Sequence, residues 1–241
     1  MRVIVKRDYQ EMSHEAARIV ARQVLTKPDS VLGLPTGDTP TAMYGNLVDM
    51  YKLGLLDFSR VVTFNLDEYY GLSPDHPYSY HRYMREKLFD HVNATDGNVH
   101  IPDGGTEDAA AACRRYDEDL KRYEEIDLQV LGIGPNGHIG FNEPGTDWGM
   151  TVGLVQLSQT TRDREAPRFG GIDNVPTRAI TVGIKTIMRA RKILILASGK
   201  AKAIPTKRAI AGLITAGVPA SVLQLHPDVT VILDQESASQ L

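Results

Sequence analysis

Asp127-Leu128-Gln129-Val130-Leu131-Gly132-Ile133-Gly134-Pro135-Asn136-Gly137-His138-Ile139-Gly140-Phe141-Asn142-Glu143-Pro144 is the stretch that decides how this chain folds. Its first residues, to Ile133, are almost continuously apolar, and a short apolar run closed by glycine reads as a strand covered on both faces. A glycine-punctuated turn follows, carrying one histidine and one glutamate. A buried strand therefore delivers polar side chains from its carboxyl end.

Similar apolar runs lie at 2–5, 30–34, 61–66, 192–197 and 229–233. Segments of helical period lie between them at 9–26, 40–53, 79–91, 107–124 and 200–215, several opened by Ser, Thr, Asp or Pro at capping positions. This alternation predicts an α/β fold: a doubly wound, mostly parallel, Rossmann-like sheet with helices on both faces. A chain of 241 residues, 42% apolar and 24% charged, suits one domain over 1–241. Residues 142–176 break the rhythm with Pro144, Gly145, Gly149, Gly153, Pro167, Gly170, Gly171 and Pro176. They read as an irregular excursion, either passive or a lid over an active site.

Composition narrows the partners. The net charge of -3 combines 27 basic with 30 acidic residues, without a long like-sign block, so no nucleic-acid partner is expected. No segment approaches the roughly 18 apolar residues of a membrane span, so no membrane partner is expected either. Met1 to Lys6 lacks the pattern of a secretory signal. The lone Cys113 sits in an alanine-rich helical stretch, cannot form an internal disulfide, and reads as a small buried hydrophobe in a cytoplasmic protein.

In an open doubly wound sheet, ligands bind beyond the carboxyl ends of the strands. The run 30–34 is followed by Pro35-Thr36-Gly37-Asp38-Thr39-Pro40, a turn into a helix whose backbone N–H groups and threonine hydroxyls suit a phosphate. It also reads as an ordinary helix-opening turn, and Asp38 would repel a dianion unless it pointed away or bound sugar hydroxyls. The run 61–66 is followed by Asp67-Glu68-Tyr69. Strand residues alternate faces, so one carboxylate of the pair enters a given pocket, where a partly desolvated carboxylate can act as a general base; the alternative is a helix cap or a solvated pair.

After 127–133, His138 lies inside a frame of glycines that includes Gly137, with Asn136 and Glu143 flanking it. Histidine moves protons near neutral pH, and a carboxylate partner would fix its tautomer. After 192–197, Ser198-Gly199-Lys200-Ala201-Lys202 opens a helix, and Lys202 offers a cation to a phosphate unless both lysines are simply solvated. Arg168 is a second such cation if the 142–176 segment closes over the site.

The loop from Gly132 to Pro144, together with Asn65-Leu66-Asp67-Glu68-Tyr69, resembles the glucosamine-6-phosphate deaminase family. The likeness extends to Leu34-Pro35-Thr36-Gly37-Asp38-Thr39-Pro40, Arg168-Phe169, Thr181-Val182-Gly183-Ile184 and Leu223-Gln224-Leu225-His226-Pro227. The resemblance implies that Asp67 shuttles a proton from carbon 2 to carbon 1 of an opened amino sugar. It implies that His138, paired with Glu143 and assisted from position 136, opens the pyranose ring. Thr36, Gly37, Asp38 and Thr39, with Gly137, Arg168 and Lys202, would bind substrate and hold its phosphate. The products would be fructose 6-phosphate and ammonia, with neither metal nor other cofactor.

Three positions depart from the family pattern. Asn136 stands where many members have an aspartate, which shifts the charging of histidine onto Glu143. Asp38 replaces a small residue beside the phosphate. Met150-Thr151-Val152-Gly153-Leu154-Val155 lacks the basic cluster that binds N-acetylglucosamine 6-phosphate in allosteric members, so no activation by that compound is expected. Alternatives are a galactosamine-6-phosphate deaminase, a 6-phosphogluconolactonase whose similar loop continues differently, and a catalytically silent sugar-phosphate sensor. The expected partner is a small sugar phosphate, and the expected state a monomer or small homo-oligomer.

Overall fold

The computed structural model covers residues 1–241. Its strands are β1 (Arg2–Lys6), β2 (Val31–Leu34), β3 (Val62–Asn65), β4 (Asp67–Tyr69), β5 (Val99–His100), β6 (Leu128–Gly132), β7 (Val152–Gln156), β8 (Arg178–Val182), β9 (Ile193–Ala197) and β10 (Val229–Asp234). The α-helices are α1 (Tyr9–Thr26), α2 (Thr41–Lys52), α3 (Tyr80–Lys87), α4 (Ala109–Arg122), α5 (Gln159–Phe169), α6 (Ile184–Ile187) and α7 (Ala203–Ala211).

Seven strands form one parallel sheet in the order β1-β10-β9-β6-β2-β3-β5. Alternate residues of its central strands enter different cores. Leu128, Val130, Leu194 and Leu196 join Met12, Val20 and Leu47 of α1 and α2, whereas Leu131, Ile193 and Ile195 join Tyr116, Leu120 and Ala209 of α4 and α7. Both faces are thus covered, as continuous apolar strands require. From β2 the chain proceeds outward through β3 and β5, and from β6 outward through β9 and β10. The adjacent pair β2 and β6 is therefore the topological switch point, where the loops leaving the two strands diverge and open a crevice.

The expected α/β architecture is present, but two readings change. The run 61–66 is not one strand: β3 ends at Asn65, and Asp67 begins β4 in a second, antiparallel sheet of order β4-β8-β7. Leu66 is the joint between sheets, its N–H donating to Leu34 O at 3.2 Å and its carbonyl accepting from Val182 N at 2.7 Å. The 142–176 segment is also more regular than its sequence pattern, because it contains β7 and α5. Strand β7 is half-exposed along most of its length and interrupted by Gly153, which blurs the period of two. Helix α5 buries only Thr161 and Phe169 and carries Pro167 in its last turn, so it shows no apolar stripe. Phe169 packs with Tyr69, Tyr80 and Phe141 in a small third core beneath this sheet.

Several helices have the caps their sequences promise. Asp8, Ser79, Asp108 and Ser158 accept from the backbone three residues on, opening α1, α3, α4 and α5. Cys113 is buried and free. No helix is long and apolar enough to cross a membrane.

Candidate active site

The crevice at the β2/β6 switch point is a cleft of about 390 Å³. Its floor is the carboxyl end of the parallel sheet, one wall is β4, and α5 lies over it. The turn after β2 contributes Thr36, Gly37, Asp38 and Thr39, β4 contributes Asp67, the loop after β6 contributes His138, α5 contributes Arg168, and the turn before α7 contributes Lys202.

The turn after β2 is built with its carbonyls held and its amides free. Tyr44 Oη donates to Pro35 O at 2.5 Å, Tyr83 Oη to Gly37 O at 2.6 Å, and Tyr9 Oη to Asp38 O at 2.9 Å. The N–H groups of Thr36, Gly37, Asp38 and Thr39 donate to no protein acceptor. Gly37 takes φ 93°, which lets successive amides converge. A turn whose N–H groups have no protein acceptor is suited to an anion. The Asp38 carboxylate does not compete for it, since the side chain points fully into solvent.

Lys202 faces this turn. It is buried and donates to Ile133 O at 2.6 Å, which fixes its ammonium at the end of β6. Burial, reinforced by the positive charge of Arg164 and opposed by Asp38, pulls its pKa down to about 8. A buried cation short of counter-charge favours an incoming anion.

Asp67 and Glu68 take opposite directions, as the period of a strand dictates. Glu68 turns away from the cleft, fully buried, and accepts from the N–H groups of Tyr69, Tyr80 and His81 at 2.8, 3.0 and 3.0 Å. Its carboxylate also meets His81 Nδ1 at 2.9 Å. Glu68 thus ties β4 to the first turn of α3. Asp67 faces the cleft, 5% exposed, with no hydrogen bond to protein. Burial, then the neighbouring charge of Glu68, pushes its pKa up to about 8. A carboxylate so placed gains more from taking a proton than one in water.

The loop after β6 folds back on itself through Gly134 N to His138 O at 2.9 Å and Gly137 N to Gly134 O at 3.0 Å. A Cβ on Gly134 would overlap the His138 ring, so only glycine leaves the imidazole its place. His138 Nδ1 stands 3.4 Å from Glu143 Oε2, within ion-pair range but outside hydrogen-bond alignment. Glu143 is the better-tethered partner. Its oxygens accept from Thr161 Oγ1 at 2.5 Å, Asn136 Nδ2 at 2.7 Å and Ser158 N at 3.3 Å. Burial raises its pKa, but His138 and the Thr161 and Asn136 side chains outweigh burial and bring it down to about 2. Asn136 therefore acts on Glu143, and its own Oδ1 accepts the His138 N–H at 3.2 Å.

Asn136 and Glu143 lie behind His138 rather than in the cleft lining. Gly137 is also set back: its φ is 86°, its carbonyl accepts from Ala220 N at 2.9 Å, and a Cβ would come 2.7 Å from Val218 Cγ1. It shapes the loop instead of touching the cleft. Sequence reasoning missed Tyr80, Arg164 and Glu165, which line the cleft. The two α5 residues become visible once the helix is recognised, because positions 161, 164, 165 and 168 share a face. No three His, Cys, Asp or Glu side chains cluster as a metal site.

The whole chain is similar to known proteins. Residues 7–232 match the family model described as glucosamine-6-phosphate isomerases/6-phosphogluconolactonase. A glucosamine-6-phosphate deaminase of Halothermothrix orenii is 53% identical over 241 residues, covering 100% of both chains. One from Thermoanaerobacter pseudethanolicus is 52% identical, covering 99% of this chain and 94% of its own. Among solved structures, a monomeric glucosamine-6-phosphate deaminase superposes with TM-score 0.98 at 45% identity, covering 100% of both chains. A 6-phosphogluconolactonase from Leishmania guyanensis shares the fold with TM-score 0.80 at 21% identity, covering 100% of this chain and 98% of its own.

Proposed function

This chain belongs to the glucosamine-6-phosphate isomerase/6-phosphogluconolactonase family, and on that premise we propose that it converts glucosamine 6-phosphate to fructose 6-phosphate and ammonia. The relatives named above, 52–53% identical over nearly the full length, carry the deaminase name. The lactonase neighbour, at 21% identity, speaks to the fold alone. One observation supports the site assignment above the others: a carboxylate, an imidazole and an amide-lined anion turn open onto the same cleft.

The phosphate sits on the amides of Thr36 to Thr39 beside Lys202 and Arg168. This anchors a six-carbon chain with its reacting end toward Asp67 and His138. His138 takes the proton of the anomeric hydroxyl and delivers it to the ring oxygen, so the bond between carbon 1 and the ring oxygen breaks to give the aldehyde, with Glu143 balancing the transient charge on the imidazole. Asp67 takes the proton from carbon 2 and returns it to carbon 1, converting an enolamine to an imine at carbon 2. Water adds to that imine and ammonia leaves, so the carbon–nitrogen bond is broken by hydrolysis. A base with its pKa raised toward neutrality is matched to abstraction from a weakly acidic carbon. The segment 142–176 acts as the lid within a single domain, since α5 carries Arg168 over the cleft.

The protein works as a monomer, in keeping with the monomeric deaminase it superposes on. It takes no activation from N-acetylglucosamine 6-phosphate, because β7 and its approach hold no basic side chain. Velocity curves with and without that compound will overlay.

Ammonia release from glucosamine 6-phosphate by the purified protein, run beside galactosamine 6-phosphate and the 6-phosphogluconate lactone, tests the assignment. Turnover of the glucosamine epimer in excess of the other two is expected. Preferential lactone hydrolysis would replace deamination with ester chemistry, and silence toward all three would leave a sensor.

A further inference from the structure

Helix α5 places a second arginine over the cleft that no step above uses. Arg164 and Arg168 are four residues apart on one helical face, and both line the cleft. Arg164 also borders the open hollow beside it, together with Thr39, Ser198 and Lys202. Its one ionic partner is Asp38, with Nη2 to Oδ2 at 3.9 Å. That contact spans the mouth of the cleft, from lid helix to anion turn. It is a loose pair, 43% and 101% exposed at the side chains, so water screens it well. Meanwhile the free amides of Thr36, Gly37, Asp38 and Thr39 lie on the inner side of the same turn.

We propose that Arg164 is a phosphate-binding residue of the lid, steadied across the cleft mouth by Asp38, which a substrate phosphate draws inward onto the anion turn. The proposal rests on the sugar-phosphate reading of the cleft and extends it. A guanidinium offers several donors in a fork that fits phosphate oxygens, and a weakly held surface carboxylate is an easy partner to exchange for a dianion. Arg164 already acts electrostatically on Lys202, and Asp38 acts on it in the opposite sense. The two cations line the same two hollows and repel each other, and a dianion bound between them relieves that repulsion. This also gives a use to Asp38, an acidic residue on a phosphate turn. It faces outward, clear of the anion, and presents the lid cation at the entrance.

The test measures affinity for inorganic phosphate by calorimetry, and the glucosamine 6-phosphate KM, in wild type, Arg164→Ala, Asp38→Asn and the double variant. Arg164→Ala is expected to weaken phosphate binding about tenfold, the scale of one charge-assisted contact, with KM rising by a larger factor than kcat falls. Asp38→Asn changes phosphate affinity chiefly while Arg164 is present, so beyond the small direct effect of Asp38 on Lys202 the double variant matches Arg164→Ala. Unaltered phosphate affinity in a folded Arg164→Ala protein overturns the proposal, as does an Asp38→Asn effect that persists at full size without Arg164. If wild type binds phosphate but deaminates nothing, the functional reading fails, while the calorimetric comparison still decides the role of Arg164.

Discussion

Asp67 and Glu68, consecutive in β4, present their carboxylates to opposite sides of the strand. Asp67 enters the cleft without a donor, while Glu68 is saturated by three backbone N–H groups and His81. One residue is held still so that the other can be left unsatisfied. The unsatisfied one carries the cost of burial, and that cost has measurable signatures.

Asp67→Asn should slow turnover severely and stabilise the protein. Removal of a general base typically costs 10² to 10⁴ in rate, roughly. The stability sign follows from a folded pKa of about 8 against roughly 3.9 unfolded. A raised carboxyl contributes its full stability below the unfolded value and loses it as pH rises through the folded one. The variant's thermal midpoint should therefore match wild type near pH 4 and exceed it by several degrees, about, at pH 8 and above. Equal midpoints across that range would mean that the Asp67 carboxylate is not desolvated.

Glu143→Gln should show the opposite pH trend. Its folded pKa of about 2 lies below the unfolded value of roughly 4.3, so its contribution is present above pH 4.3 and fades as pH falls toward 2. Because the burial of its carboxylate offsets part of what its partners add, it should contribute on the order of 1–2 kcal/mol near neutrality. Denaturant midpoints of variant and wild type should differ at pH 6 and converge at pH 2. Activity should fall as well, because the glutamine no longer balances a charged His138.

The fold was readable because continuous apolar strands and amphipathic helices differ in period. Leu128, Val130, Leu194 and Leu196 lie in two of the runs that reading took as buried strands, and all four are in the core. What the pattern hid was the second sheet. β4 spans Asp67–Tyr69 and takes its partner β8 from more than a hundred residues away, so nothing local announces it. β7 and α5 are likewise stabilised by packing on a few residues such as Phe169, with little period of their own. Within the site, residues that follow strand ends were legible by topology alone. Arg164 and Glu165 were not, because their placement depends on a helix whose sequence is nearly all polar. Gly137 shows the converse: a glycine that looked like a ligand contact is required instead by φ 86° and the nearness of Val218.

Gly134→Ala should disable the site without touching any charged group. The added Cβ would occupy the space of the His138 imidazole, which must swing from its place near Glu143. Positioned proton transfer is sensitive to displacements of about 1 Å, so a fall in kcat of about 10²-fold is expected. The proposed phosphate subsite is formed by the turn after β2 and the Lys202 side chain, and the Ile133 carbonyl that holds Lys202 is not moved by the substitution, so calorimetry should find inorganic phosphate bound as tightly as by wild type. A variant with full activity would show that the imidazole needs no fixed seat.

Lys202→Met should change how phosphate affinity depends on pH, beyond lowering it. The ammonium of Lys202, with its pKa near 8, begins to lose its charge just above neutrality. Asp67 gains negative charge over the same range, so wild-type affinity for inorganic phosphate should fall from pH 7 to pH 9 for two reasons. The methionine variant keeps Asp67 and lacks the titrating cation. Its affinity should start about tenfold or more lower at pH 7, the scale of one buried charge-assisted contact, and decline less steeply. Bound phosphate will hold the lysine proton and push the wild-type break upward, so the comparison of slopes between the two proteins, measured by calorimetry at each pH, is the decisive quantity. Parallel curves would place Lys202 outside the anion subsite and assign the whole pH trend to Asp67.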